Sequence, residues 1–270
     1  SFVNVNRDVE TPFGWWLGQN PDGLSNKTMT VLRFDGADGK PIGVLVSYGL
    51  KPCAIDNSEP DSEKRLVSTD VAGIACRAAE KTLDAPVLFC MSAAGDQVPR
   101  EQAFWETVND DGSVGKVDLG VEKGYEIADR LGAEMGADIL RIAAKTVPAK
   151  ETATARASGA VVCGTKGRTP MSPKKEEEFK AESKTSLGAE AVQLGDIALV
   201  AVKPEVNAQT EKELQAASPY AHTLLLSMVN GGMKYMPDQS SYDRLTWESQ
   251  SAMLMPGSAE KWVARAADVL

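Results

Sequence analysis

The sequence predicts an α/β fold in which mixed β-sheets pack against layers of helices. Two apolar runs flank a Gly/Asp turn as in a β-hairpin, and further apolar strand runs alternate with helical patterns. One long segment also repeats apolar residues at spacings of three and four, as an amphipathic helix does. Because 43% of the 270 residues are apolar, the chain can bury one sizeable hydrophobic core. We therefore predict a single α/β domain over residues 1–270.

The first part of the chain carries five predicted elements. Residues 1–26 are rich in Asn, Gly, Pro and aromatic residues and are predicted to form an ordered loop. A β-hairpin is predicted from residues 28–34 and 42–50, and a helix from residues 68–83, with a Ser or Thr N-cap. Residues 86–91 are wholly apolar, which predicts a central strand buried on both faces.

The second part is dominated by a long helix predicted over residues 117–145. The remaining predicted elements, in chain order, are a strand at 155–165, a charged surface helix at 173–183, a hairpin of 189–194 and 197–202 around Gly195-Asp196, a helix at 209–217, a strand at 223–228 and a final helix at 258–270. A domain that opens on an irregular loop suggests further chain upstream, so we predict that this is the C-terminal part of a larger protein.

Composition narrows the classes of partner and chemistry. The net charge of −9 disfavours nucleic acid as a partner, and no apolar run approaches the roughly 20 residues of a membrane span. Four separated cysteines and no visible signal peptide favour a reducing, cytoplasmic location. The chain has a single histidine, His222, which excludes a multi-histidine metal site within this chain. Because His222 precedes an apolar strand, it is interpreted as structural.

Four loops follow apolar strands, where open α/β sheets place their ligands: residues 48–53, 92–100, 202–207 and 229–237. In the second loop, small residues allow close approach of a ligand, and charged or amide side chains offer contacts. The candidate substrate-binding residues are Ser92, Gly95, Gln97, Arg100 and Asn230. Asp96 is a candidate catalytic residue, with the alternative that it only accepts backbone N–H bonds.

Three residues of the other loops also have two interpretations. Glu205 is either a carboxylate at a helix start or a ligand-binding group. Tyr235 is either a packed aromatic residue or a functional phenol. Lys51, before Pro52, either extends to solvent or, if desolvated, acts as a base or nucleophile.

In this order, these segments resemble the neutral/alkaline (non-lysosomal) ceramidase family over nearly the whole chain. The matching pieces are residues 28–34 with 39–43, 66–70 with Gly73, Gly95-Asp96 with Pro99, Pro204-Glu205, 230–235, and Pro256-Gly257. The resemblance implies hydrolysis of the ceramide amide by a zinc-bound water and a fold of two β-sheets between helical layers. It further implies that Glu205 and Tyr235 match zinc ligands of the family.

The chain also departs from the family at positions that matter for chemistry. Lys51 stands where the family has a histidine zinc ligand, Val98 where it has the catalytic serine, and Trp247 where it has an active-site tyrosine. The upstream histidine-rich segment that supplies another ligand has no counterpart here. Because zinc sites use three or four protein ligands, Glu205 and Tyr235 hold zinc only if residues outside this chain complete the site.

Three functional hypotheses follow. The first is a divergent ceramidase-like hydrolase that acts on an amide bond of a lipid or related small molecule, with Asp96 and Lys51 as catalytic residues. The second is an inactive binding or interaction domain that keeps the scaffold, because the family's histidine, serine and tyrosine are replaced. Without zinc, Lys51, Asp96 and Glu205 are also expected to form a charge cluster, either as a structural replacement for the metal or as a site with perturbed pKa values. The third is half of an active site that an upstream domain of the same protein completes.

Overall fold

Strands and helices are interspersed along the chain. The computed structural model describes residues 1–56, 58, 67–149, 153–167 and 169–270. In chain order the elements are β1 (Asn4–Thr11), β2 (Gly14–Asn20), β3 (Thr30–Asp35), β4 (Pro41–Tyr48), α1 (Asp70–Leu83), β5 (Val87–Met91), β6 (Gln97–Pro99), β7 (Phe104–Val108), β8 (Val114–Asp118), α2 (Val121–Ala143), β9 (Thr154–Lys166), β10 (Ala181–Leu194), β11 (Ile197–Ala201), β12 (Glu205–Val206), α3 (Ala208–Ala217), β13 (His222–Leu226), β14 (Tyr235–Met236), α4 (Gln239–Asp243), α5 (Trp247–Ser251) and α6 (Ser258–Val269). Leu66, one residue of the segment 66–70, lies outside the described residues.

Two mixed sheets form the centre of the fold. The first has the order β3-β4-β5 and is covered by α1 and α2, and the second has the order β13-β11-β10-β9 and is covered by α3 and α6. Side chains alternate along β4, so Val44, Val46 and Tyr48 pack in the core shared with the helices, while Ser47 faces the second sheet and its Oγ donates to the Leu225 carbonyl. The predicted α/β fold with helical layers on mixed sheets is confirmed.

The start of the chain differs from the prediction. Residues 1–26 contain the antiparallel hairpin β1–β2, and β6 pairs with the other edge of β1. The polar side chains Asn4, Asn6, Arg7 and Asp8 of β1 are all buried. Without an apolar alternation, this strand carries no sequence signal for burial, and so the prediction of a loop is wrong.

Three other elements also depart from expectation. β5 is an edge strand of its sheet and its Leu88 is 64% exposed, so the prediction of a central strand buried on both faces is wrong. The hairpin β7–β8 occupies the start of the predicted long helix, which begins at Val121. No helix forms at residues 173–183; this charged stretch is irregular until β10 begins at Ala181.

The edge of the second sheet is partly closed at one end. The outer strand β9 pairs with β10 along its whole length, and near its end the Lys166 N–H donates to the Met253 carbonyl while the Met255 N–H donates to the Gly164 carbonyl. Within the described ranges, no helix is long and apolar enough to cross a membrane.

Candidate functional site

A pocket of about 220 Å³ lies where β1, β2, the segment after β4, β6, β7, β14 and α5 meet. Its lining residues are Arg7, Leu17, Gly18, Lys51, Cys53, Asp56, Val98, Gln102, Phe104, Trp105, Glu106, Tyr235 and Trp247. Four residues to which the family resemblance draws attention therefore share one cavity: Lys51, Val98, Tyr235 and Trp247. We call this cavity the central pocket.

The centre of the site is a contact of Lys51 with two partners. Its Nζ lies 3.0 Å from Oε2 of Glu205 and donates a hydrogen bond of 2.8 Å to the Tyr235 hydroxyl. The two partners are adjacent because β12 and β14 pair in parallel with Glu205 directly opposite Tyr235. Lys51 is fixed by its own backbone, whose N–H donates to the Gln97 carbonyl of β6.

A second cation, Arg7, lies beside this group. Its Nε donates to Oε1 of the fully buried Glu248 at 2.6 Å. The guanidinium carbon is 5.5 Å from the centre of the Tyr235 ring and 5.1 Å from that of the Trp247 ring, and the two rings meet edge to face. The aromatic rings thus hold the guanidinium against the wall of the central pocket.

Electrostatics keeps both cations charged. Burial and the neighbouring Arg7 oppose the ammonium of Lys51, but Glu205 and Tyr235 outweigh them and raise its pKa. Burial also opposes the charge of Arg7, and Glu248 and Tyr235 together raise its pKa. Lys51 in this setting is a donor and a positive charge, and no free amine is present at neutral pH to act as a base.

Behind Arg7 lies a buried pair of carboxyl groups. Burial and the nearby Glu248 raise the pKa of Asp8 well above its usual range, whereas Arg7 holds the pKa of Glu248 down against its burial. Arg244 approaches Asp8 at 3.6 Å. The shared proton therefore favours Asp8, and the negative charge favours Glu248 beside Arg7.

The loop of residues 92–100 contributes Val98 to the pocket, while its polar residues point elsewhere. Asp96 accepts from the Ala208 N–H at 3.0 Å, at the start of α3, and from Nδ2 of Asn6 at 3.1 Å. Burial raises the pKa of Asp96 to about 6, against hydrogen bonds from Gln97 and Ala208 that lower it. The geometry matches the alternative in which Asp96 accepts backbone N–H bonds, and the carboxyl does not line the pocket.

The other candidate residues of this loop have structural partners. The buried Ser92 hydroxyl donates to the carboxylate of Glu211 in α3, and the Gln97 amide donates to the Leu24 carbonyl at 2.9 Å. A Cβ on Gly95 would lie 2.5 Å from Oδ1 of Asn207, so the close approach allowed by this glycine is to its own chain.

Three residues lie away from the central pocket. Arg100 makes a two-pronged ion pair with Glu134 of α2, at 2.8 and 2.6 Å. Asn230 is exposed in a turn, with a φ of 61°. His222 is exposed at the start of β13 and lines a different cavity of about 230 Å³.

The central pocket opens beside a larger groove of about 640 Å³. The groove runs along β2, β7 and the start of α2. It shares five lining residues with the pocket: Leu17, Gly18, Gln102, Trp105 and Glu106. Cys53 lines the pocket, and burial raises the pKa of its thiol to about 12, so the sulfur stays protonated.

The side chains present do not suit zinc. The carboxylate of Glu205 and the hydroxyl of Tyr235 both face the ammonium of Lys51, and a second cation stacks on the tyrosine ring. Among the described residues no group of three His, Cys, Asp or Glu side chains is placed to hold a metal ion. With two of its potential donors already bound to an ammonium, this donor set does not match the three or four ligands of a zinc site.

Sequence reasoning missed Arg7 and Glu248. Arg7 lies in a strand without apolar alternation, and Glu248 lies in a five-residue helix that is too short to show a period. The only sequence feature that points to this part of the site is Trp247, which stands at the family's active-site tyrosine and lies one residue before Glu248.

Comparison with known proteins gives one clear likeness. The structure matches that of neutral ceramidase from Pseudomonas aeruginosa with a TM-score of 0.71 and 15% sequence identity, over 99% of this chain and 50% of that one. A second structure, a ceramidase complexed with C2, matches with the same TM-score and identity over 51% of its chain. No protein-family model matches the chain, and no curated protein sequence matches it significantly. The chain spans about half the length of these ceramidases and shares their fold, which confirms the resemblance seen in the sequence at the level of the fold.

Proposed function

We propose that this chain is a metal-independent binding domain built on the ceramidase fold, and that the central pocket is its ligand site. One observation carries the proposal: the ammonium of Lys51 contacts both Glu205 and Tyr235, the two positions that resemble zinc ligands. The covalently attached ammonium supplies a positive charge to Glu205 and a hydrogen-bond donor to the Tyr235 hydroxyl. The pocket wall offers neither a thiolate nor a serine, since the thiol of Cys53 is protonated and Val98 stands where the family has its catalytic serine.

Zinc binding tests this proposal directly. The purified chain is incubated with excess Zn²⁺, desalted and analysed for metal. We expect substoichiometric zinc in the unchanged chain, and more zinc in Lys51→His, because a neutral imidazole beside Glu205 and Tyr235 makes three donors. Lys203→His, an exposed position on the loop before Glu205, controls for adventitious binding by the new histidine.

Two results would contradict the proposal. Stoichiometric zinc in the unchanged chain would show that Lys51 does not keep the metal out. A Lys51→His chain that retains no more zinc than Lys203→His would show that the ammonium is not the deciding group.

A second function, hydrolysis of an amide bond in a lipid or related small molecule, is supported by one feature of the site. Lys51 and Tyr235 place two hydrogen-bond donors at the pocket, where they suit a carbonyl oxygen, and the adjoining groove suits an apolar chain. Release of acid from a fluorogenic N-acyl amide tests it. Turnover that disappears in Tyr235→Phe would favour the hydrolase over the binding domain.

The third hypothesis assigns the missing donors to a segment upstream of Ser1. The length of the ceramidases, about twice that of this chain, supports it. The same zinc measurement on the full-length product of the natural gene separates it from the first proposal, which expects substoichiometric zinc in that protein as well.

A further inference from the structure

Side chains of both charges line the central pocket. The cations are Arg7 and Lys51, and the carboxylates are Asp56 and Glu106. Asp56 lies at the exposed mouth, next to the segment that carries Lys51, and Glu106 lies on β7 with one oxygen accepting from the Trp16 indole at 2.9 Å. A ligand of a single charge sign would attract one pair and face a like charge on the other.

The cations keep donors for a ligand. Lys51 has three N–H groups and uses two on Glu205 and Tyr235. Arg7 directs Nε and Nη2 towards Glu248, which leaves Nη1 outside that ion pair. One edge of the pocket can therefore donate to a carboxylate.

The remaining walls suit an ammonium group. Phe104 and Trp105 line the pocket beside Glu106, and aromatic faces attract cations, whereas Tyr235 and Trp247 already face Arg7. The volume of about 220 Å³ is below the range of about 300 to 1,000 Å³ typical of sites for drug-sized ligands, so the ligand is small.

From this arrangement we infer that the central pocket binds a small zwitterion of the amino-acid type. Its carboxylate lies towards Lys51 and Arg7, and its ammonium lies towards Asp56, Glu106 and the aromatic walls. A short apolar side chain extends towards the adjoining groove. The inference rests on the proposed function, because it needs the ammonium of Lys51 in the place of a metal.

Three matched compounds test the inference by isothermal titration calorimetry. L-leucine carries both charges, 4-methylpentanoate lacks the ammonium, and 3-methylbutylamine lacks the carboxylate. We expect L-leucine to bind at least about tenfold more tightly than either, which corresponds to one further charge-assisted contact. Equal affinity of L-leucine and 4-methylpentanoate, or no binding of any of the three, would overturn it.

Variants locate the ammonium site. In Asp56→Asn, and in Asp56→Asn combined with Glu106→Gln, the affinity for L-leucine should fall about tenfold while that for 4-methylpentanoate stays the same. Asp110→Asn, an exposed carboxylate at the tip of the β7–β8 hairpin, is the control and should bind L-leucine unchanged. If the double variant does not fold, the exposed Asp56→Asn change alone decides the matter, and unchanged L-leucine affinity in it would contradict the inference.

Metal analysis of the same preparation separates the two proposals. A zinc-free chain that does not prefer L-leucine overturns only the zwitterion. A chain with stoichiometric zinc overturns the proposed function, whatever its affinity for L-leucine.

Discussion

Lys51 contacts Glu205 and Tyr235 in a site with little access to water, and from this ion pair we predict an effect on stability. Its side chain is 17% exposed and that of Glu205 is 15% exposed. Lys51→Met leaves Glu205 without its cation, so we expect the free energy of unfolding in urea to fall by about 2–4 kcal/mol. Lys51→Met combined with Glu205→Gln should recover part of the loss, because no carboxylate is then left unpaired. Lys203→Met, at an exposed lysine nearby, should leave the stability unchanged; a loss as large as that of Lys51→Met would contradict the prediction.

From the raised pKa of Asp96 we predict how the stability of the protein depends on pH. Its folded pKa of about 6 lies above the usual value of 3.8, so between these values the folded protein holds a proton that the unfolded chain has released. Its contribution to stability is thus present at low pH and is lost as the pH rises through about 4 to 6. Relative to Asp96→Asn, the wild-type free energy of unfolding should fall by up to about 3 kcal/mol from pH 4 to pH 7, at about 1.4 kcal/mol per pKa unit.

Urea unfolding of both proteins across this pH range is the measurement. Asp8 also has a raised pKa, to which the charge of Asp96 contributes, so the same pair of proteins is also compared in an Asp8→Asn background. Parallel pH profiles for the two proteins would show that Asp96 does not titrate in this range.

At the residue scale, the sequence identifies part of the site. Lys51, Glu205 and Tyr235 all follow apolar strands, and the structure brings their side chains together. Asp96 is a candidate on the same grounds, yet its carboxyl bonds the start of α3. Loop position alone does not tell which way a side chain points, because that depends on the backbone geometry of neighbouring elements.

At the scale of elements, close packing between the 92–100 loop and the segment before α3 predicts the effect of a substitution on stability. The Gly95 N–H donates to the Val206 carbonyl, and a Cβ there would lie 2.5 Å from Asn207 and 3.0 Å from that carbonyl. Gly95→Ala should therefore destabilise the protein by about 1–3 kcal/mol through overpacking. Gly188→Ala, in β10 where a Cβ meets nothing within 4 Å, is the matched control and should change the midpoint of thermal unfolding little. Equal midpoints for the two variants would refute the packing argument.

Elements with an ordinary amphipathic pattern are predicted well. The β3–β4 hairpin, α1, β9, β11, α3, β13 and α6 lie within a few residues of their expected places, whereas β10 begins at Ala181, eight residues before its expected start at Ala189. β1 could not be found, because its buried side chains are polar and are satisfied by distant partners, such as Glu248 for Arg7. The charged stretch before β10 has the composition of a helix, but no face of it repeats apolar residues that could anchor a helix to the core.

At the scale of the molecule, two apolar cores lie on either side of the paired sheets. Val46, fully buried, belongs to the core under α1 and α2, and Trp262 of α6 belongs to the other. The sheets are linked by Ser47 with Leu225 and by Ser227, whose Oγ donates to the Met91 and Ser92 carbonyls. We therefore expect the two cores to unfold together.

Amide hydrogen exchange measures this cooperation. Val46→Ala should lower the stability by about 2 kcal/mol. The most protected amides of α2 and of α6 should lose protection by the same free energy, although α6 is far from the substitution in the chain. Loss confined to α1, α2 and their sheet would show that the cores open independently.

The contact of Lys51 with Glu205 and Tyr235 also bears on how the site comes into being. A bound ion must be captured from the surroundings, and a chelator can strip it away. An ammonium carried by the polypeptide arrives with synthesis, in fixed stoichiometry, and its placement is complete when β12 and β14 have paired. Under the proposed function, assembly of this cleft depends on folding alone and not on the supply of trace elements.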